Sequence, residues 1–348
     1  MKNILDNKTY SEDLDFALKN IDLSIIKGKS VLITGGLGLI CSSIVDLLHK
    51  YNINDNSNIR ILVADINEPF FEKRYGSYCD IQYIKYNALE TLTFDFDVDY
   101  IIHGAGLSSP ELFMSKPVET MLSNFEGVLN LLNYSKEHNV KRMLYISSSE
   151  VYGNKYNDDS FVEDLFGSSN INTIRASYSE SKRASEVLCR SYSSEFGVDT
   201  VMVRPGHIYG PTASPRDQRV SSAFAFLAAE GKPLELKSSG LTRRSYCYSI
   251  DCAVAILTAL LKGKTGESYN IGHDEITTIR DMSVIIANAG NVDLKTVEPT
   301  EEELKAFNPM SNSSLNNNKI KEIGYRDSFS TKTGLEHTVQ IIKDIYFS

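Results

Sequence analysis

The stretch Ser30-Val31-Leu32-Ile33-Thr34-Gly35-Gly36-Leu37-Gly38-Leu39-Ile40-Cys41 decides the fold. Ser30 to Thr34 is a short apolar strand, and a helix, Ser42 to Lys50, follows the glycines. A glycine-rich turn between strand and helix lets backbone N–H groups approach a pyrophosphate, and the helix dipole adds to the attraction. Gly35, Gly38, Leu39 and Ile40 are the candidates for that contact. The next strand, Ile59 to Asp65, ends in a carboxylate. An acid there accepts hydrogen bonds from both hydroxyls of an adenosine ribose and repels a 2′-phosphate, which favours NAD over NADP.

Outward from this unit, strand and helix alternate. Ile81 to Tyr86 and Tyr100 to His103 read as strands, and Thr120 to Glu137 as a long helix. Arg142 to Ser147 is a fifth strand, Tyr178 to Phe196 a helix, and Thr200 to Arg204 a sixth strand. Such alternation means a parallel sheet covered on both faces. The expected fold class is α/β, a Rossmann-type doubly wound parallel sheet with a smaller C-terminal substrate-binding region. Residues 1–28 form a helical lead-in, with one or two short helices between Ser11 and Ile26. Residues 29–205 form the NAD-binding domain, and 249–262 return to it through the helix Asp251 to Leu261. Residues 206–248, with the short helix Ser221 to Ala229, and 263–348 form the substrate-binding region. Pro309 to Asn318, rich in Ser and Asn, reads as a surface loop.

The 348 residues carry a net charge of -9, with 42% hydrophobic and 23% charged residues. That composition supports a substantial core, and the acidic balance argues against nucleic-acid binding. A few local arginines still suffice to hold one diphosphate. The five cysteines show no metal spacing and no CxxC pair, which fits reduced thiols in a cytoplasmic protein without a metal site. The N-terminal residues are polar and acidic, unlike a signal peptide. The longest apolar run, Cys252 to Leu261, is too short to span a bilayer.

Tyr178 and Lys182 are four residues apart, which places both on one helix face. The ammonium is expected to lower the phenol pKa, which makes Tyr178 a candidate general base and acid. The fifth strand runs into Ser147-Ser148-Ser149-Glu150-Val151-Tyr152-Gly153.

In this order, the glycine turn, the serine-rich strand end and YxxxK resemble the extended short-chain dehydrogenase/reductase family. The resemblance spans residues from about 29 to 340 and implies an NAD-dependent enzyme acting on a nucleotide-activated sugar. Cys41 stands at the third glycine position of the family's turn. The resemblance further implies cofactor contacts at Asn87 and the neighbouring Ala88, at Gly104-Ala105-Gly106, at Asn124, and at Tyr178 and Lys182. It makes Ser148 the partner of Tyr178 on the substrate hydroxyl. It also implies a homodimer built from the helices at 120–137 and 178–196.

Glu150 narrows the reaction, because a simple 4-epimerase has no use for an acid there. Ser-Ser-Glu at 148–150 resembles UDP-glucuronate decarboxylases and GDP-mannose 4,6-dehydratases; Ser149 replaces the Asp of glucose-type dehydratases. The loop Gly106-Leu107-Ser108-Ser109-Pro110 and the run Arg219-Val220-Ser221 look more like the decarboxylases. Ser108, Arg219 and Arg244 are the expected substrate contacts, the two arginines gripping a diphosphate from either side. Phe113 stands where decarboxylases usually carry Tyr. His207 replaces an asparagine of the family's RPxNxYGP stretch, as a phosphate contact or as a plain hydrogen-bonding residue. Dehydration, epimerisation and NAD(P)H-dependent ketone reduction remain alternatives on the same scaffold, and a nonenzymatic NAD-binding regulator is a third class.

Overall fold

The computed structural model describes residues 2–155, 157–298, 300 and 310–348. The six expected strands are present: β1 Ser30–Thr34, β2 Arg60–Asp65, β3 Ile81–Lys85, β4 Tyr100–His103, β5 Arg142–Ile146 and β6 Thr200–Pro205. They pair in parallel in the spatial order β3-β2-β1-β4-β5-β6. A further strand, Ser268–Ile271, extends the sheet beside β6. From sequence that stretch is expected in the smaller region, 263–348. Its polar residues explain why: Ser268 and Asn270 are buried and bonded, not apolar. Ser268 Oγ donates to Glu186, and Asn270 Nδ2 donates to the carbonyls of Phe161 and Asn316.

Alternate side chains of β1 face opposite layers. Val31 and Ile33 pack with Ile44 and Leu47 of the helix Leu39–Asp55 and with Val254 and Leu257 of the helix Ser249–Lys262. Leu32 packs with Val128 and Leu131 of the helix Pro117–Glu137 and with Cys189 of the helix Ala176–Phe196. Each such side chain gains about 1.5–3 kcal/mol by leaving water. The helix after the glycines starts at Leu39, earlier than expected, and stops where Asn56 turns left-handed at φ 47°. The lead-in forms the helix Lys8–Leu18 and a short 3-10 turn, Ser24–Ile26.

The smaller region pairs His207–Tyr209 with Tyr246–Tyr248, Arg243–Arg244 with Thr277–Thr278, and Leu234–Leu236 with Leu294–Thr296. The helices Val220–Ala229, Ile279–Gly290 and Thr331–Tyr346 pack on one another. The expected surface loop Pro309–Asn318 is corrected. Pro309 lies outside the described residues, but Asn312, Ser314, Leu315 and Asn317 are all buried. Their polar groups bond inward: Asn312 Nδ2 donates to the Asp158 carbonyl, and the Gly272 N–H donates to Asn317 Oδ1. Among the described residues no helix is long and apolar enough to cross a membrane.

Candidate active site

The strand order reverses between β1 and β4. In open α/β sheets the crevice outside the carboxyl ends at such a point is where ligands bind. A cavity of about 470 Å³ opens there. One wall is the glycine turn. Gly35 adopts φ +66°, and a Cβ on it would come within 2.9 Å of the Ala105 backbone. Gly38 begins the next helix with no side-chain cap, so the first-turn N–H groups have no partner within the helix. Gly38, Leu39 and Ile40 line the cavity. Cys41 lines it too, and its sulfur occupies the place a Cβ on Gly104 would take. The missing third glycine of the turn is thus matched by a glycine on the facing strand. Burial pushes the Cys41 thiol up to about 12, so it stays protonated.

Asp65 closes β2 beside the turn, its Oδ2 accepting from the Leu37 N–H at 3.2 Å. Thr34 accepts from the Ala105 N–H at 3.3 Å, which fixes the loop after β4. Asn124 is buried behind that loop: its Oδ1 lies against Gly106, and its Nδ2 donates to Ser181 at 3.1 Å. Ala88 is buried beside Gly127, and Asn87 closes a turn with Leu89 and Glu90.

Ser148, Ser149, Glu150, Tyr178 and Lys182 line the same cavity. Ser148 Oγ accepts from the Glu150 N–H at 3.2 Å, starting the short 3-10 turn Ser149–Tyr152. Lys182 Nζ donates to the Ile146 carbonyl at 2.9 Å and lies 5.9 Å from the centre of the Tyr178 ring. Burial pulls the lysine down to about 8. Burial also raises the Tyr178 phenol; Glu150 raises it further, while Ser148 and Arg219 lower it. The expected lowering of the phenol by Lys182 is not seen: desolvation outweighs Ser148 and Arg219, the two groups that lower it.

At the mouth, Ser108, His207, Arg219 and Arg244 also line the cavity. Arg219 is held by Asp217, with Nε donating at 2.9 and 3.0 Å and Nη2 at 2.5 Å. Arg244 Nε is buried without a hydrogen-bond partner, and its Nη1 reaches Tyr246 Oη at 3.5 Å. His207 Nε2 meets Ser313 Oγ at 3.1 Å. Burial, then Arg244 and Arg219, hold that imidazole well below its ordinary pKa, so it is neutral.

A sequence model of the NAD dependent epimerase/dehydratase family matches residues 31–272, well over half of the chain. The chain belongs to this family. Its cofactor is NAD. Among curated relatives, the human dTDP-D-glucose 4,6-dehydratase is 27% identical over 331 residues, covering 90% of this chain and 89% of the relative. UDP-glucuronic acid decarboxylase 5 of Arabidopsis thaliana is 30% identical over 287 residues, 80% of each chain. The fold is shared with a solved dTDP-glucose 4,6-dehydratase of Streptomyces venezuelae, at a TM-score of 0.77 and 24% identity over 91% of this chain and 97% of that one.

Of the residues expected from sequence, the cavity of this family member gathers the glycine turn, Gly104, Ser108, the serine–glutamate string, Tyr178, Lys182 and the three mouth residues. Asp65, Asn87, Ala88, Ala105, Gly106 and Asn124 are not among its lining residues. The structure adds Arg175, Gln218 and Tyr246 to the wall, and Phe113 beside Tyr178. Arg175 precedes Tyr178 by three residues, a spacing that shares a helix face; that was the available signal.

Proposed function

We propose that this NAD-dependent enzyme oxidises C4 of a nucleotide-activated sugar and then acts on the 4-keto intermediate as a UDP-glucuronate decarboxylase. The supporting observation is that Ser148, Glu150, Tyr178 and Lys182, the glycine turn, and Arg219 and Arg244 all line one cavity. The residues fit NAD: Gly35, Gly38, Leu39 and Ile40 would hold the pyrophosphate, and Asp65 the adenosine ribose. The loop Gly104–Gly106, braced by Asn124, would lie along the cofactor, with Asn87 and Ala88 near the adenine and Lys182 at the second ribose. Bound NAD supplies reversible hydride acceptance.

Tyr178 takes the C4 hydroxyl proton as the C4 hydrogen departs as hydride, with Ser148 holding the same oxygen. The ketone at C4 then accepts the electron pair of the C5–carboxylate bond as carbon dioxide leaves. C5 takes up one proton from solvent, relayed by the Glu150 carboxyl, a step for which oxidation by itself has no need. Return of hydride to C4, with the proton from Tyr178, completes a cycle without net redox change. Arg219 and Arg244 neutralise the substrate diphosphate. His207, neutral and tied to Ser313, acts as a hydrogen-bonding wall. The second reading, a nucleotide-sugar 4,6-dehydratase, is supported by the human relative's long match.

Two copies are expected to pair through the helices Pro117–Glu137 and Ala176–Phe196, whose outer faces expose Val118, Met121, Leu122, Phe125 and Val187. The deciding assay measures nicotinamide released on denaturation, then incubates native enzyme with UDP-glucuronate and follows products by mass spectrometry. Bound NAD and a product lighter by carbon dioxide are expected. Bound NAD with intact UDP-glucuronate would exclude decarboxylation and favour the dehydratase reading.

A further inference from the structure

Arg175 stands where stability would not put an arginine. It directly precedes the helix Ala176–Phe196, and its side chain makes no cap hydrogen bond. A cation at this end opposes the helix dipole. Its ion pair with Glu150 does not compensate. The two side chains are 49% and 41% exposed, and ion pairs so open to solvent add little to stability.

The geometry of the pair is nonetheless specific. Arg175 Nη2 donates to Glu150 Oε1 at 3.0 Å and to Oε2 at 3.1 Å. The guanidinium carbon lies 5.5 Å from the centre of the Phe113 ring. Phe113 in turn stacks on Tyr178, with centroids 5.1 Å apart and planes at 21°. All four residues line the cavity. The backbone of Glu150 is tied down at both ends, its N–H donating to Ser148 Oγ and its carbonyl accepting from the Gly153 N–H. Among the described residues, Arg175 is the one hydrogen-bond partner of its carboxylate.

We infer that Arg175 is a positioning residue: it clamps the Glu150 carboxylate in register with Tyr178, through Phe113, and acts on the reaction by way of Glu150. The inference rests on the reading of Glu150 as the acid–base group of the 4-keto stage. A free glutamate side chain distributes itself over many rotamers, and fixing one of them costs entropy. The fork and the Phe113 ring narrow that distribution before substrate arrives. A flat guanidinium both stacks on an aromatic face and forks onto a carboxylate; a lysine keeps the charge but loses the stacking.

The test uses the whole enzyme, UDP-glucuronate, and the variants Arg175→Met, Arg175→Lys, Glu150→Gln and the double variant Glu150→Gln with Arg175→Met. Arg175→Met is expected to lower kcat about 10- to 100-fold, the scale of a misplaced catalytic group, while KM changes less than about threefold. Arg175→Lys should fall between it and the parent. On the Glu150→Gln background Arg175→Met should cost nothing more, since coupled residues are not additive. Additive losses, or a raised KM at unchanged kcat, would overturn the inference and make Arg175 a direct substrate contact. A crystal structure of Arg175→Met gives a readout independent of substrate: the Glu150 carboxylate should leave its place, and an unmoved carboxylate refutes the clamp. Failure of the parent enzyme to consume UDP-glucuronate would count against the decarboxylase reading, while the crystal comparison would still decide the role of Arg175.

Discussion

Cys41 and Gly104 divide one small space between the glycine-turn helix and the end of β4. Gly104→Ala would place a methyl group onto the Cys41 sulfur, with Ile146 Cδ1 at 3.2 Å and the Thr34 carbonyl oxygen at 3.4 Å from the same carbon. Forcing a methyl into a packed interior costs about 1–3 kcal/mol. Loss of glycine freedom in the unfolded chain returns about 0.4–1 kcal/mol, so a net destabilisation of about 0.5–2 kcal/mol is expected. Removing the sulfur in the same molecule, by Cys41→Gly, relieves the main overlap and leaves the milder contact with Ile146. The helix then carries an extra glycine, worth about 0.8–1 kcal/mol against an alanine. The two substitutions together should therefore be more stable than their separate losses predict, by about 1 kcal/mol. Urea unfolding of the four proteins measures this coupling, and NAD titration should show affinity lost in Gly104→Ala and regained in the pair. Strictly additive losses, or a Gly104→Ala protein as stable as the parent, would refute the view that Gly104 makes room for Cys41.

Lys182 is depressed to about 8 from 10.5 by burial. The unfolded chain thus binds more protons between those pH values, and stability rises with pH across that window. Lys182→Met should abolish turnover yet stabilise the fold at pH 7 by up to about 3 kcal/mol, with the gain shrinking towards pH 10; thermal unfolding at several pH values tests the sign. Arg244→Ala should raise KM for the nucleotide sugar about 10- to 100-fold, as expected for loss of a charge-assisted contact of about 1.5–3 kcal/mol. Its kcat should stay within a few-fold of the parent, which steady-state kinetics will show. Met121→Glu, which puts a charge on the exposed apolar face, should lower the sedimenting mass below that of the parent if this face joins two copies as proposed.

The parts of the site that were legible in the sequence are those whose chemistry is local. The glycine turn needs its residues adjacent, and Tyr178 and Lys182 need one helical turn, so spacing reports both. Arg175 escaped because a cation there works against the helix dipole, and the carboxylate it grips lies far off in sequence. Such conflicts concentrate at functional sites. The edge strand Ser268–Ile271 and the segment 310–317 escaped for another reason. Their asparagines and serines look solvated, but their partners are distant in sequence: Glu186, Phe161, Asp158, Gly272. The titration of Tyr178 was misjudged because charge proximity is visible in a sequence and desolvation is not.

The segment 310–317 also joins parts of the chain that lie far apart in sequence. It bonds to the Phe161 stretch on one side, to Arg243 and Ser245 on the other, and to His207 at the mouth. Greasy surfaces can glide over one another, but hydrogen bonds demand particular distances and directions. A polar strap of this kind works as a spacer: it fixes how far the Phe161 stretch stands from Arg243 and Ser245, a distance that greasy packing would let drift.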